Sequence, residues 1–185
     1  KVGAVAGVCH GFIGNRMLTV YGRESHLLVL EGARPEQVDQ VLYQFGMPMG
    51  VIAMADMAGL DIGTRLRQQM DESEYDVMST AVADRLVEQG RCGQKTGAGF
   101  YDYQAGNRTP IPSKITQEII NETAEKFAIK QRTIDEDEII SRCFYAMCNM
   151  GFDILDEGMA FRSSDIDTVY ICLLYTSPSP RDYTR

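Results

Sequence analysis

Apolar residues recur every three or four positions along most of the chain, which is the period of an amphipathic helix. In the first such stretch Met17, Tyr21 and Leu28 continue a series that begins at Ile13. Glycine follows several of these stretches and proline opens others, as expected where helices end and begin. The pattern predicts an all-α fold with helices at 13–31, 35–45, 48–57, 61–70, 77–89, 114–127 and 135–157.

The first ten residues differ from the rest, because Val2 to Val8 contains only glycine, alanine and valine. A short uncharged segment of this kind is typical of a strand buried on both faces of a parallel sheet. Such a strand needs neighbours, and they would have to precede Lys1. We therefore expect residues 1–10 to be the last strand of a domain that begins earlier in a longer protein.

Two parts of the chain repeat one pattern. Arg16 and Arg142 are 126 positions apart, and so are Glu31 and Glu157. A glycine follows each glutamate. With a shift of two more positions, an apolar-Asp pair in the first part also matches one in the second. We therefore predict two duplicated helical units, with the apolar-Asp pairs at 38–39 and 166–167.

The repeat also divides the chain. We predict a first copy over residues 11–103, a linker and helix over 104–134, and a second, truncated copy over 135–171. The stretch from Cys172 to Arg185 does not continue the second copy, and its Ser-Pro-Ser-Pro segment resembles translated read-through of adapter sequence. We expect residues 172–185 to be non-native and exclude them from the inferences on fold and function.

Composition excludes several classes of function. The formal charge is −8 with a pI near 4.8, and lysine and arginine form no basic stripe, which argues against a nucleic-acid partner. No stretch has the roughly 20 apolar residues of a membrane span, and the start of the chain lacks a secretory pattern. Five cysteines and two histidines show no zinc-binding spacing, so no metal site is predicted. We expect a cytoplasmic or organelle-matrix protein.

Asn15 is the first candidate functional residue. It lies on the first turn of the first helix, just after a turn that contains Gly11 and Gly14. Strand-to-helix turns often hold polar side chains beside a ligand crevice. The alternative is that Asn15 only bonds its own backbone at the helix start. The second copy has Ser141 at the matching position, and this loss favours a functional role for Asn15 in the first copy.

Lys95 is the second candidate. It lies in a glycine-rich loop from Gly93 to Phe100, which lacks the Gly-x-x-x-x-Gly-Lys-Thr spacing of a phosphate-binding P-loop. The composition alone is that of a cluster of turns. A contact between Lys95 and an anion is the alternative interpretation.

Four motifs together identify a resemblance. The motifs are GFIGNR at 11–16, FGMPMG at 45–50, DMAGLD at 56–61 and GQKTGAGFY at 93–101. In this order they resemble the helical C-terminal part of 3-hydroxyacyl-CoA dehydrogenases, over Lys1 to about Ile171. The continuation beyond the fourth motif is similar to multifunctional β-oxidation proteins, in which an enoyl-CoA hydratase domain precedes the dehydrogenase.

The resemblance implies an NAD-dependent oxidation of (3S)-3-hydroxyacyl-CoA to 3-oxoacyl-CoA in fatty-acid β-oxidation. It implies that residues 1–10 end an NAD-binding Rossmann domain, and that the catalytic His and Glu and the dinucleotide loop precede Lys1. Asn15 matches the active-site asparagine of the family, and Lys95 matches a lysine that contacts NAD. His10 and His26 do not match the catalytic histidine.

The resemblance further implies an acyl-CoA substrate, an upstream Rossmann domain, an upstream hydratase domain and a homo-oligomer. The location would be the cytoplasm in a bacterium, or a peroxisome or mitochondrial matrix in a eukaryote. Two alternatives stay open from the sequence: a helical dimerisation or scaffold module without chemistry, and a related dehydrogenase for another hydroxy acid.

Overall fold

The computed structural model describes residues 3–174. Eight α-helices account for most of these residues, which confirms the predicted helical class, and a two-stranded antiparallel hairpin joins the fifth helix to the sixth. The elements are α1 (Gly14–Glu31), α2 (Pro35–Phe45), α3 (Val51–Ala58), α4 (Leu60–Arg67), α5 (Val77–Glu88), β1 (Tyr101–Asp102), β2 (Ile111–Pro112), α6 (Lys114–Lys126), α7 (Glu136–Asp156) and α8 (Ser163–Leu174).

No strand is formed over residues 3–10 of the described chain, and the strand expected at residues 1–10 stays a prediction that depends on neighbours before Lys1. The segment has one isolated antiparallel bridge, between Ala6 and Ala160, and the Gly7 amide donates to the Met159 carbonyl at 2.8 Å. A buried strand requires pairing on both sides, and the described residues offer no sheet at this place. The segment therefore crosses the turn that follows α7.

Four other predicted segments also differ from the structure. The helix predicted over 61–70 runs over Leu60–Arg67 and so ends three residues early. The predicted linker contains β2, which pairs with β1 and makes the segment part of a hairpin. The third helix begins at Val51 and not at Pro48, because the Asp39 carboxylate caps its first turn at Ile52 and Ala53. The acidic stretch at 71–76 contains a short 3-10 turn. The predictions for α1, α2, α5, α6 and α7 hold to within one or two residues at each end.

Helices α1 and α7 pack along each other and form the centre of the fold. Each contributes side chains with no exposed surface, among them Leu28 from α1 and Ile139 and Ile154 from α7. The Ser25 hydroxyl lies 3.4 Å from the Cys143 sulfur inside this contact. Burial of these apolar side chains is the main stabilising contribution available to such a pair.

Two arginines form ion pairs that cross between the repeated units. Arg16 binds Glu157 with both guanidinium nitrogens, at 2.5 and 2.8 Å. Arg142 binds both carboxylate oxygens of Glu31 at 2.9 Å. Each arginine therefore binds the glutamate of the other unit. This is the reciprocal pattern of a two-fold symmetric interface, in which residue i contacts j and j contacts i.

The two central helices also end in the same way. In each, the glycine and the residue after it donate to carbonyls three and five positions back, which is the Schellman form of helix end. Gly32 could not be replaced easily, because a β-carbon there would lie 2.3 Å from the Arg132 carbonyl oxygen. The donors and acceptors in the two units are 126 positions apart, as a duplication predicts. The four bonds run from the amide to the carbonyl, from Gly32 to Val29, Ala33 to Leu28, Gly158 to Leu155 and Met159 to Ile154.

Candidate functional site

A tight turn places the start of α1. Gly11 and Phe12 both have positive φ angles, 75° and 49°, and this conformation is uncommon for a phenylalanine. Ile13 and Gly14 then enter the core, where Ile13 is fully buried. The buried pair fixes the first turn of α1, so the residue that follows is held on a rigid element.

Asn15 is the residue that this turn presents to solvent. Its backbone amide donates to the Gly11 carbonyl at 3.1 Å, and its carbonyl accepts from the Thr19 hydroxyl at 2.8 Å. Within residues 3–174 its side-chain amide makes no hydrogen bond, and the N-cap position is taken by Ile13. Asn15 therefore does not serve as the cap of α1, and its carboxamide can donate to a group outside this part of the chain.

Two apolar side chains close to Asn15 along the chain are also exposed. Val8 is 89% exposed and Phe12 is 53% exposed, and both lie in or just before the turn. His10, between them, is exposed as well. Apolar side chains clustered on one surface mark a contact site more often than isolated ones do.

Lys95 lies on a 3-10 turn over Gln94–Thr96 in the glycine-rich loop. Its ammonium forms a short ion pair with Asp61, in the first turn of α4, and about half of the side chain is exposed. Arg65 reaches the other oxygen of Asp61 at 3.2 Å. Lys95 holds the pKa of the Asp61 carboxyl below its ordinary range through this hydrogen bond. The lysine thus already has an anionic partner. No hydrogen bond or ion pair of the described chain joins Lys95 to Asn15.

A buried carboxylate, which the sequence analysis did not single out, organises the loop. Asp56 has no exposed surface. One oxygen accepts from the Phe100 amide at 2.8 Å, and the other accepts from the Tyr101 amide at 2.9 Å and the Tyr103 hydroxyl at 3.0 Å. Burial raises the pKa of Asp56, and the amide bonds oppose this shift. The loop therefore wraps an anion that belongs to the protein itself.

The glycines of the loop fit the same interpretation. A β-carbon at Gly99 would lie 2.1 Å from the Asp56 carboxylate, and one at Gly93 would lie 2.1 Å from the Asp56 carbonyl oxygen. Both distances are far below any contact between non-bonded atoms. Close packing on Asp56 thus requires glycine at 93 and 99, which explains a composition that looks like a phosphate loop.

A second carboxylate, which is partly buried, joins this loop to α2. Asp39 accepts from the Ile52 and Ala53 amides at 2.8 and 2.9 Å, and from the Tyr101 hydroxyl at 2.7 Å. Burial raises the pKa of Asp39, and it also raises the pKa of Tyr101. The sequence marked Asp39 only as a sign of the repeat. Its apolar neighbours on α2 were the available signal that it would lie at the edge of the core.

Comparison with known proteins decides the family. Residues 11–103 match the model of the 3-hydroxyacyl-CoA dehydrogenase C-terminal domain. The chain belongs to this family. The chain is 39% identical over 184 residues to a peroxisomal bifunctional enzyme of Cavia porcellus, with 92% of the chain and 25% of the relative covered. It is 33% identical over 177 residues to a fatty acid oxidation complex subunit alpha of Psychrobacter arcticus, with 92% and 24% covered.

A solved structure shows the same fold. The dehydrogenase part of multifunctional enzyme 1 from C. elegans superposes with a TM-score of 0.70 at 28% identity, over 85% of this chain and 35% of that one. The chain spans about a quarter of the length of the curated relatives that it matches. Among residues 3–174 no helix is long and apolar enough to cross a membrane, and no three metal-binding side chains of those residues cluster together.

Proposed function

We propose that this chain is the substrate and packing part of an NAD-dependent 3-hydroxyacyl-CoA dehydrogenase within a multifunctional β-oxidation protein. The match of residues 11–103 to the family's C-terminal domain carries the proposal. The reaction is oxidation of the 3-hydroxyl of a (3S)-3-hydroxyacyl-CoA to a ketone. The catalytic His and Glu would come from a domain that precedes Lys1.

Asn15 is the residue that the chain contributes to this reaction. Its carboxamide is exposed, makes no bond within the described residues and is held by a rigid helix. It would donate a hydrogen bond to the substrate's C3 oxygen or to the catalytic histidine. A donor fixed in this way favours the transition state because it needs no reorganisation during the reaction.

The exposed apolar side chains beside Asn15 support the presence of the preceding domain. Val8 and Phe12 would be buried by a domain that packs on this surface, and full burial of such side chains contributes about 1.5–3 kcal/mol each. The same contact would bring the catalytic groups of that domain to the exposed face of Asn15. The substrate would then lie in the cleft between the two domains.

The glycine-rich loop of the described chain does not form a dinucleotide site by itself. In the glycine-rich loop the amides of Gly93, Thr96, Gly97 and Gly99 bond to carbonyls of the loop itself, and those of Phe100 and Tyr101 bond to Asp56. NAD, which accepts the hydride in this reaction, would therefore bind the preceding domain. Lys95 would add one cationic contact, shared with Asp61.

The location and the remaining partners are part of the same proposal. The names of the relatives place them in peroxisomes and in a bacterial fatty acid oxidation complex. We assign this chain to the corresponding compartments, with an acyl-CoA substrate, an enoyl-CoA hydratase domain upstream and assembly as a homo-oligomer. A eukaryotic source would extend the choice to the mitochondrial matrix.

Joining the chain to its upstream reading frame tests the proposal. The fused protein should form NADH from a 3-hydroxyacyl-CoA, and the upstream domain alone should not, because it lacks Asn15 and the cleft wall. Lys95→Ala should raise the KM for NAD a few-fold with little change in kcat, since one exposed charge contact contributes about 1 kcal/mol or less. A folded fusion without any NADH formation would favour the helical packing module instead.

A further inference from the structure

The segment that leads into the Asn15 turn is bound by the second unit. The Gly7 amide donates to the Met159 carbonyl at 2.8 Å, just after the end of α7. A β-carbon at Gly7 would lie 2.7 Å from the Met159 sulfur, so the two segments are in close contact. Residues 157–160, the turn that follows α7, therefore fix the stretch of chain that precedes the Asn15 turn.

The same turn of the second unit also binds the residue that follows Asn15. Arg16 binds Glu157 through both guanidinium nitrogens, at 2.5 and 2.8 Å. One of these nitrogens also lies 3.9 Å from the Cys9 sulfur, at the other side of the Asn15 turn. The hydrogen bond from Arg16 lowers the pKa of Glu157, so both partners are charged at neutral pH. Residues 157–160 therefore anchor the chain on both sides of Asn15.

The start of α1 has little other support from side-chain hydrogen bonds. Its N-cap residue, Ile13, offers no acceptor to the first amides of the helix, and helix starts without such a cap are less stable. Within residues 3–174, Arg16 is the one side chain of residues 14–17 that forms a hydrogen bond. Burial of Ile13 holds the first turn against the core. The two-point contact of Arg16 adds a fixed orientation, and with it a fixed direction for the Asn15 carboxamide.

The reciprocal ion pair lies at the opposite end of α1 and offers a matched comparison. Both carboxylate oxygens of Glu31 accept from Arg142 at 2.9 Å, and one also accepts from Arg132 at 2.9 Å. Glu31 lies 16 positions after Asn15, which is about 24 Å along a helix. The residue beside Arg142 is Ser141. This pair therefore repeats the contact between the units at a place without the candidate asparagine.

We propose that Arg16 and Glu157 are positioning residues for Asn15, so that the second unit fixes the direction of a hydrogen-bond donor in the first. The proposal rests on the dehydrogenase function proposed above, and neither side chain would touch the substrate. Glu157 is half exposed, so the ion pair contributes little to stability. A donor displaced by about 1 Å, by contrast, loses much of its effect on the rate. Loss of the pair should therefore lower kcat more than it lowers stability.

Glu157→Gln in the fused protein tests this role, with NADH formation from a 3-hydroxyacyl-CoA as the assay. The kcat should fall about five- to tenfold and the KM for the acyl-CoA should change less than about twofold, because the donor acts on the reacting oxygen and not on the rest of the substrate. In the 185-residue chain the same substitution should lower the melting temperature by no more than about 4 °C. Glu31→Gln, the matched control, should lower the melting temperature further and keep the original kcat.

A double variant tests whether the two residues act as one unit. Arg16→Met combined with Glu157→Gln should have the kcat of Arg16→Met alone, because either substitution removes the same contact. Losses that multiply in the double variant would overturn the inference.

Two other results would also overturn the inference while the proposed function stands. One is a kcat for Glu157→Gln within twofold of the original, and the other is an equal loss of kcat in Glu31→Gln. Absence of NADH formation by the unmodified fused protein would instead overturn the proposed function, and this inference with it.

Discussion

Asp56→Asn is expected to loosen the glycine-rich loop while keeping the size of the side chain. Both carboxylate oxygens of Asp56 act as acceptors, from the Phe100 amide on one side and from the Tyr101 amide and Tyr103 hydroxyl on the other. Asparagine keeps a single oxygen. Its NH₂ group must then face at least one buried backbone N–H, which loses its acceptor.

The magnitude follows from those bonds. A buried donor left without a partner costs about 1–3 kcal/mol, and each hydrogen bond to a charged group contributes about 1.5–3 kcal/mol. Burial of the Asp56 carboxylate, which raises its pKa, offsets part of the stabilisation from these hydrogen bonds. We expect a net loss of about 3 kcal/mol in the free energy of unfolding. For a chain of this size that corresponds to a fall of about 6–12 °C in melting temperature.

Thermal and urea unfolding at pH 7 measure this loss. The matched control is Asp153→Asn, where the exposed carboxylate has no described partner and the expected change is within about 0.5 kcal/mol. A melting temperature for Asp56→Asn no lower than that of the control would refute the claim that this carboxylate holds the loop.

Three further predictions concern packing, charge and pH. Gly99→Ala should cost about 1–3 kcal/mol of stability in urea unfolding because its β-carbon would meet Asp56, whereas Gly151→Ala, with open space around it, should be neutral or stabilising. Arg142→Ala should destabilise the protein more than Arg16→Ala in the same assay, by about 1 kcal/mol, because Arg142 binds two glutamates that are less exposed than Glu157. Burial lowers the pKa of His26, so the unfolded chain binds the proton more readily than the folded chain. The free energy of unfolding should therefore fall as the pH drops below about 6.5. His26→Gln should flatten this dependence on pH, and an unchanged dependence would contradict the assignment of the effect to His26.

The helices could be predicted because the information for them is local. The apolar period and the glycines and prolines at the ends give α1 and α2 within a residue. The Asp-x-x-Glu pattern at 135–138 is typical of a helix start, and at the N-cap of α7 the Asp135 carboxylate accepts from the Glu138 amide at 2.8 Å. The Glu138 carboxylate forms an ion pair with Arg132 instead of accepting from the Asp135 amide, because a nearby cation competes better for a carboxylate than a backbone amide does.

The loop around Asp56 could not be predicted in the same way. The donors to its carboxylate lie 44 to 47 positions away, and two of them are backbone amides that leave no mark in the sequence. The glycine cluster gave a signal, but its composition suits turns and anion loops equally. The strand predicted at residues 1–10 depends on neighbours outside the described chain. Residues 172–185 were predicted to be non-native. Residues 175–185 of this range lie outside the described residues.

Only the structure shows that the Asn15 side chain is exposed, because the sequence does not determine it. The sequence left two roles open for it, a backbone-bonded helix start and a donor to a ligand. The structure shows no bond from its carboxamide within residues 3–174 and a different residue at the N-cap. Its role in catalysis stays a prediction.

The most direct measurement is the kcat of the fused protein with Asn15→Ala, followed as NADH formation from 3-hydroxyacyl-CoA. Loss of one fixed donor to the reacting oxygen typically lowers kcat by about 10². Asn15→Asp should fall at least as far, because a carboxylate cannot donate. His10→Ala, also exposed and next to the same turn, should keep the original rate. A kcat for Asn15→Ala equal to that of His10→Ala, with both variants folded, would contradict the account.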